Sequence, residues 1–285
     1  MSVVDDPQQA MALHDLHGRQ SLGSYLRAIW GHAGFVTTLA SAYVREQAAG
    51  RALGIGWLLV SPLLLTGTYF FIFGVVFQVD KGVDHFIGYL VVGVLAFTWI
   101  IRSATSGAKA LSGNRPLMHS LSFPRMALPL ATAISEAVTF GVSLAIAALV
   151  AVLSGTLGVR VLAVVGVLAV SLLFTAGLGA VLSLAGSRLL DVQDALPYLM
   201  RIWFYFSGVL YPRSIIEARA PAWLSTILFD VNPGATITGL FRWCFGFAPA
   251  GDDVVAMFLT TLGWAVALLA GAVVMFTHRE VNLGA

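Results

Sequence analysis

Few side chains in this sequence are of types that could carry chemistry, and their spacing narrows what they could do. Carboxylates pair at Asp5-Asp6, at Asp191 and Asp194, and at Asp252-Asp253. A membrane glycosyltransferase could use such a pair through a divalent ion. The plainer reading is placement at helix ends, with Asp191 capping a helix and Asp252-Asp253 at the positive N-terminus of the last one. His14 and His17 sit in a polar tail, and metal-ligand spacing and Gly-x-Ser-x-Gly are both absent. The single cysteine, Cys244, excludes an intrachain disulfide framework and reads as an apolar filler. No Gly-x-x-x-x-Gly-Lys-Ser/Thr occurs, so ATP, if it drives anything here, binds another subunit.

What remains are charges and aromatics inside apolar blocks. Glu136 and Arg201 each fall within such a block, roughly 10–14 Å along a helix from its end at 1.5 Å per residue. Charges are costly in hydrocarbon and face a partner or a water-filled cavity. Their similar depth permits a Glu136–Arg201 pair; independent snorkelling is the alternative. On a helical wheel, Pro62, Thr66, Tyr69, Phe70, Phe73 and Phe77 share one side of their block, and Tyr198, Arg201 and Tyr205 share a stripe of another. Phenol-bearing faces suit sugars, since the ring packs on C–H groups while the hydroxyl bonds. They are therefore the expected substrate channel, with an ordinary interfacial aromatic belt as the alternative.

The elements that must position these residues belong to a membrane. Only 11% of the 285 residues are charged and 58% are hydrophobic, with a mean hydropathy of +0.87. A soluble domain carries about 25% charged residues to cover its surface. A helix needs about 20 apolar residues to cross the bilayer. Six blocks qualify or nearly do: 57–79, 86–101, 126–153, 159–185, 195–211 and 254–276, the second and fifth being short. Arg102 could snorkel at the end of the second. The expected fold is thus all-α, a polytopic six-span helical bundle over residues 55–285 behind an N-terminal segment, 1–54. No cleavable signal peptide is visible, so the first span acts as its own insertion signal.

Lys and Arg mark the cytoplasmic side. They concentrate before the first span, between the second and third (Arg102, Lys109, Arg115, Arg125), and at Arg188 and Arg279, which places both termini inside. Leu22, Tyr25, Leu26, Ile29, Trp30 and Ala33 recur at helical spacing, as in an interfacial helix on the cytoplasmic surface. A cytosolic helix on a partner is the other reading. The segment 212–253 is too broken to cross. Residues 222–229 are apolar but short, and Asn232-Pro233 can open a further helix over 234–247. Two short outer helices, re-entrant or interfacial, are expected there.

Four stretches resemble the permeases of bacterial polysaccharide ABC exporters, which move O-antigen, teichoic acid or related lipid-linked glycans. They are Arg51-Ala-Leu-Gly-Ile-Gly-Trp57 with Ser61-Pro62 and Tyr69 to Phe77; Leu121-Ser-Phe-Pro-Arg-Met-Ala-Leu-Pro129; Asp191 to Tyr198 running into Trp203-Phe-Tyr-Phe-Ser207 and Tyr211-Pro212; and Asn232-Pro-Gly through Phe241-Arg-Trp243. The resemblance implies a homodimer of six-span subunits with two separate ATPase subunits that carry the ATP and Mg, no cofactor on this chain, and an inner-membrane location. It also implies that the 102–125 loop holds a coupling helix that docks on the ATPase, and that the short helices after span five form an outer gate. Arg115, Phe123, Pro124 and Arg125 are the coupling candidates: prolines fix helix ends, and arginines can pair with acids on a soluble partner. Gly208 departs from the pattern, where proline is frequent, as does Arg201, where a neutral polar residue is usual. The same architecture could export a drug or other small molecule. A membrane glycosyltransferase or a secondary transporter is the reading from a different class.

Overall fold

The computed structural model describes residues 22–49, 53–76, 84–249 and 251–279. Phe77, Arg51, Lys81 and the His14–His17 tail lie outside the described residues. The described chain is helical in every regular element. Four helices are long and apolar enough to cross a membrane: Phe86–Lys109, Ala127–Leu153, Val159–Arg188 and Val254–His278. Two shorter elements stand where the first and fifth spans are expected.

In chain order the helices are α1 (Leu22–Gly31), α2 (Ala33–Ala48), α3 (Trp57–Tyr69), α4 (Phe86–Lys109), α5 (Arg115–Ser120), α6 (Ala127–Leu153), α7 (Val164–Arg188), α8 (Leu190–Phe206), α9 (Arg213–Glu217), α10 (Ala222–Ser225), α11 (Pro233–Cys244) and α12 (Val254–Arg279). α3 continues as a wider, π-wound stretch, Phe70–Val76, and α10 continues likewise through Thr226–Val231. The bundle has two ends. The proximal end carries α1, α2 and α5; the distal end carries α9, α10 and the turn into α12.

α4 is the axis. Its residues from Phe86 to Ile100 are almost all buried, and α6, α7, α8 and α11 pack around it. Close helix approach depends on missing side chains. A Cβ on Gly107 would lie 2.5 Å from the Gly179 Cα, so α4 and α7 cross in backbone contact. Higher up, Trp99 stacks on Phe140 at 4.6 Å, and Phe241 of α11 meets both rings edge-on. α11 is buried along nearly its whole length. It is therefore packed inside the bundle, whereas α10 and its π-wound continuation stay at the surface.

The N-terminal element differs from the single expected helix. It breaks at His32 into α1 and α2. Along α1 the apolar stripe divides: Tyr25 is fully buried, whereas Leu22, Leu26 and Trp30 point away, Trp30 being 85% exposed. The arc is wide enough to pack on the bundle on one side and stay exposed on the other. α2 does not lie apart from the spans. Phe35 meets Phe123 at 4.8 Å, and Gln47 reaches Ser135 on α6. α6 has 27 residues, about 40 Å at 1.5 Å per residue, which exceeds the hydrocarbon thickness by roughly 10 Å. α2 flanks that surplus.

Candidate functional site

Four features bring polar groups together. The first is a charge cluster at the proximal end. Glu136, 5% exposed, accepts from the Arg102 Nε at 2.9 Å and from Ser106 at 2.9 Å. The Arg102 Nη2 donates at 2.8 Å to the Gln47 carbonyl oxygen, and the Gln47 amide donates to Ser135 and, at 3.4 Å, back to Glu136. Thr139 also donates to Gln47. A buried carboxylate needs both an opposite charge and further hydrogen bonds; three helices, α2, α4 and α6, supply them here.

The expected Glu136–Arg201 pair is therefore corrected: Arg102 takes the place of Arg201. α6 and α8 both pack against α4, so α4 occupies the space the pair would need, and Arg201 sits on the exposed face of α8. Gln47 went unnoticed in the sequence. Its signal was there, since Val36, Ala40, Tyr43 and Gln47 continue one helical stripe of α2. Beside the ion pair lies a cavity of about 370 Å³, walled by Trp57, Ser61 and Leu65 of α3, Thr98 of α4 and Phe140 of α6.

The second feature is aromatic. Tyr69 stacks on Phe73 at 6.2 Å, and Phe73 meets Phe86 edge-on. The Tyr69 phenol is within electrostatic reach of Arg201 and Tyr205. Tyr198 and Tyr205 are 72% and 52% exposed on one face of α8, while Leu196 and Phe204 bury the opposite face. The expected face continues past Tyr69 to Phe73 but does not include Phe70. Phe70 points outward, away from the Tyr69–Phe73 stack, because the chain changes to π winding at that residue.

The third feature closes the distal end. Asn232 is a cap whose side chain accepts from Gly234 N at 3.0 Å and from the Trp203 indole at 2.8 Å, while its amide donates to Ser207 at 3.0 Å. Two stretches that stand apart in sequence, 203–207 and 232–234, thus form one joint. Gly234 is required there: a Cβ would come within 2.6 Å of Phe97 and 2.7 Å of the Ser207 hydroxyl. Arg242 closes the other side. It is 4% exposed and donates to the carbonyls of Tyr89, Gly208 and Val209, with its guanidinium 3.4 Å from the centre of the Tyr89 ring. Gly208 has φ +59°, a conformation that proline cannot adopt, which accounts locally for glycine at this position. On the surface, Arg213 grips Asp230 through two nitrogens and Glu217 through its Nε, tying α9 to the chain after α10.

The fourth is a cleft of about 1,420 Å³ at the same end, bordered by Tyr89, Arg160, Arg213, Arg242, Trp243 and Asp252 among others. The Asp252-Asp253 pair divides there. Asp253 caps α12, accepting from Val255 N and Ala256 N. Asp252 has no hydrogen-bond partner among the described residues and faces the cleft. Burial pushes its carboxyl above the usual range, opposed by Arg242 and Arg213. Among the described residues no three His, Cys, Asp or Glu side chains gather as a metal site would require. Asp191 lies in the first turn of α8, at the proximal end and far along the chain from this cleft.

The coupling candidates divide as well. α5 is a six-residue helix opened by Arg115 and Pro116, both exposed. Phe123 and Pro124 are buried and Arg125 half-buried, so these three anchor the loop to the bundle and α2 while Arg115 faces outward.

Residues 43–245 match the family model described as ABC-2 type transporter. The chain is 25% identical over 256 residues to the O-antigen export system permease protein RfbA of Myxococcus xanthus, covering 90% of this chain and 96% of that protein. It is 25% identical over 200 residues to a protein of the same name from Klebsiella pneumoniae, covering 68% and 73%. The family match spans the charge cluster, the aromatic face and the distal joint; Asp252 falls beyond it.

Proposed function

The chain belongs to the ABC-2 type transporter family, and we propose that it is the membrane subunit of an ATP-driven exporter for a lipid-linked polysaccharide. It is a multi-pass membrane protein and a transport subunit, and its family works with an ATP-binding partner. In the proposed complex two copies of this chain span the bacterial inner membrane six times each, with both termini cytoplasmic. ATP and Mg bind the partner, and α5 docks on it through Arg115. The segment 1–54 then lies at the cytoplasmic surface, and α9 to α11 close the outer end.

One observation carries the cargo assignment. α8 turns Tyr198, Arg201 and Tyr205 outward, and Tyr69 of α3 is within electrostatic reach of the last two. A charge and phenols are poor neighbours for lipid tails, and a second copy set against this face would enclose a path lined by rings and hydroxyls. Ring contacts of this kind are individually weak and tolerant of sequence, so a polymer can slide past them. Relatives named as O-antigen export permeases support the same reading. The test is deletion of the gene in its own host. Polysaccharide should vanish from the surface and accumulate on its lipid carrier inside, with return on complementation. Unchanged surface polysaccharide in the deletion strain refutes the assignment.

A specific observation favours a second cargo. The 370 Å³ cavity beside Arg102 and Glu136 has the size of a small-molecule site. An exporter of a drug-like amphiphile would use it, and the deletion strain would then be hypersensitive to that compound with its surface glycan intact.

A further inference from the structure

The distal cleft is not accounted for by the closing of the outer end. Most of its charged groups are already committed: Arg213 to Asp230 and Glu217, Arg242 to three carbonyls, Asp253 to the first amides of α12. Among the described residues, four titratable side chains of the lining remain without a hydrogen-bond partner: Asp84, His85, Arg160 and Asp252. The Asp252 carboxylate is an acceptor without a partner among the described residues. Arg160, which is exposed, makes no hydrogen bond among the described residues and lies 5.7 Å from the centre of the Trp243 ring. The cleft therefore presents two carboxylates, an imidazole, a guanidinium and an aromatic plane.

We propose that this cleft is a saccharide-binding subsite, in which Asp252 accepts hydroxyl protons from a sugar, Arg160 donates to its oxygens, and the ring packs against Trp243. Other ligand classes fit less well. A metal ion lacks companion ligands among the described residues. A polyanion would face Asp252 and Asp253, and a polycation would face Arg160 and Arg242. A neutral polyol uses acceptor and donor together, and its C–H face matches the indole. The volume of about 1,420 Å³ exceeds that of a drug-sized site, so a run of several sugar units is accommodated. All the lining residues come from one chain, unlike the aromatic face of α8, which needs a second copy to become enclosed. The subsite would receive the glycan as it leaves the membrane path and disfavour its return.

This inference rests on the polysaccharide reading above, and the experiment separates the two. Oligosaccharides cut from the host's own surface polysaccharide are labelled at the reducing end. Their binding to the permease, embedded in lipid nanodiscs with its ATPase and without ATP, is followed by fluorescence anisotropy. The wild type should bind, and Asp252→Asn and Arg160→Gln should each weaken binding about tenfold, as expected for loss of one charged hydrogen-bonding group. Trp243→Leu should weaken it as well; the two polar variants stand in if that change disturbs α11. No binding by the wild type, or equal binding by all three variants, overturns the subsite. The polysaccharide reading survives either result if the deletion strain has lost its surface glycan.

Discussion

The charge cluster makes a prediction whose direction is set by exposure. The Arg102 side chain is 38% exposed and that of Glu136 only 6%. Removing one partner of a buried pair costs about 3–5 kcal/mol, because a charge is left unpaired where water cannot reach it. That figure applies to Arg102→Gln, which strands Glu136 with Ser106 and Gln47 as its remaining partners among the described residues. Glu136→Gln instead strands Arg102, which already has access to solvent and keeps its bond to Gln47. The discount for screening brings that loss to about 1–2 kcal/mol. The double change Arg102→Gln with Glu136→Gln leaves no charge behind and should lose less than Arg102→Gln alone. The assay is the thermal midpoint of the permease in nanodiscs. At roughly 2–4 °C per kcal/mol for a chain of this order, Arg102→Gln should lower it by about 6–20 °C and Glu136→Gln by about 2–8 °C. Arg201→Gln should show no coupling to Glu136→Gln in a double-mutant cycle. Equal losses from the two single changes, additive losses in the Arg102/Glu136 double, or coupling to Arg201 would each refute the argument.

Charge reversal at the exposed Arg115, Arg115→Glu, should abolish export at normal membrane levels of the subunit, and co-purification of the ATPase should fall with it; normal export removes α5 as the docking element. Replacing Tyr69, Phe73, Tyr198 and Tyr205 together by leucine keeps the hydrophobicity but removes the rings, so glycan export should fall while ATPase assembly survives. A quadruple variant exporting at the wild-type rate makes them packing residues. Gly208→Ala forces a side chain into a left-handed conformation and sets its Cβ 2.3 Å from the Phe229 ring, which should destabilise the distal end by about 1–3 kcal/mol or more, read as a lower thermal midpoint. Because burial raises the Asp252 carboxyl against the pull of Arg242 and Arg213, the folded state holds a proton in a window just above the ordinary carboxylate range where the unfolded chain has lost it. Stability should therefore rise as pH falls through that window, and Asp252→Asn should flatten the dependence; a rise in the opposite direction refutes the assignment.

The long apolar helices and the start of α11 were legible because hydropathy, length and capping are local properties. Asn232-Pro233 announced the start of α11 without any knowledge of what surrounds it. The joint it forms with Trp203 and Ser207 was visible only as two stretches sharing a resemblance, since nothing local says that an indole 29 residues earlier will donate to the same oxygen. Asp252 and Asp253 show the same limit within a single dipeptide. Helix-end placement was correct for Asp253, but which neighbour would turn into the cleft depended on how α12 meets α11.

The misplaced ion pair shows most plainly where reading along a chain stops. Depth along a helix follows from residue count, and Glu136 and Arg201 do lie at comparable depths. Azimuth, and the identity of the neighbouring helix, do not follow from counting. With α4 standing between α6 and α8, the buried carboxylate meets the arginine on the helix it touches, and Arg102 had been read as snorkelling to water instead. Both descriptions hold in part, since the side chain keeps 38% of its surface exposed while its Nε is bound to Glu136. That leaves Arg201 without the role first given to it and beside Tyr69 and Tyr205 instead. A guanidinium on an exposed helix face within a membrane protein needs polar company from outside its own subunit. The proposed path between two copies would supply that company, next to the phenols of Tyr69 and Tyr205 in the chain itself.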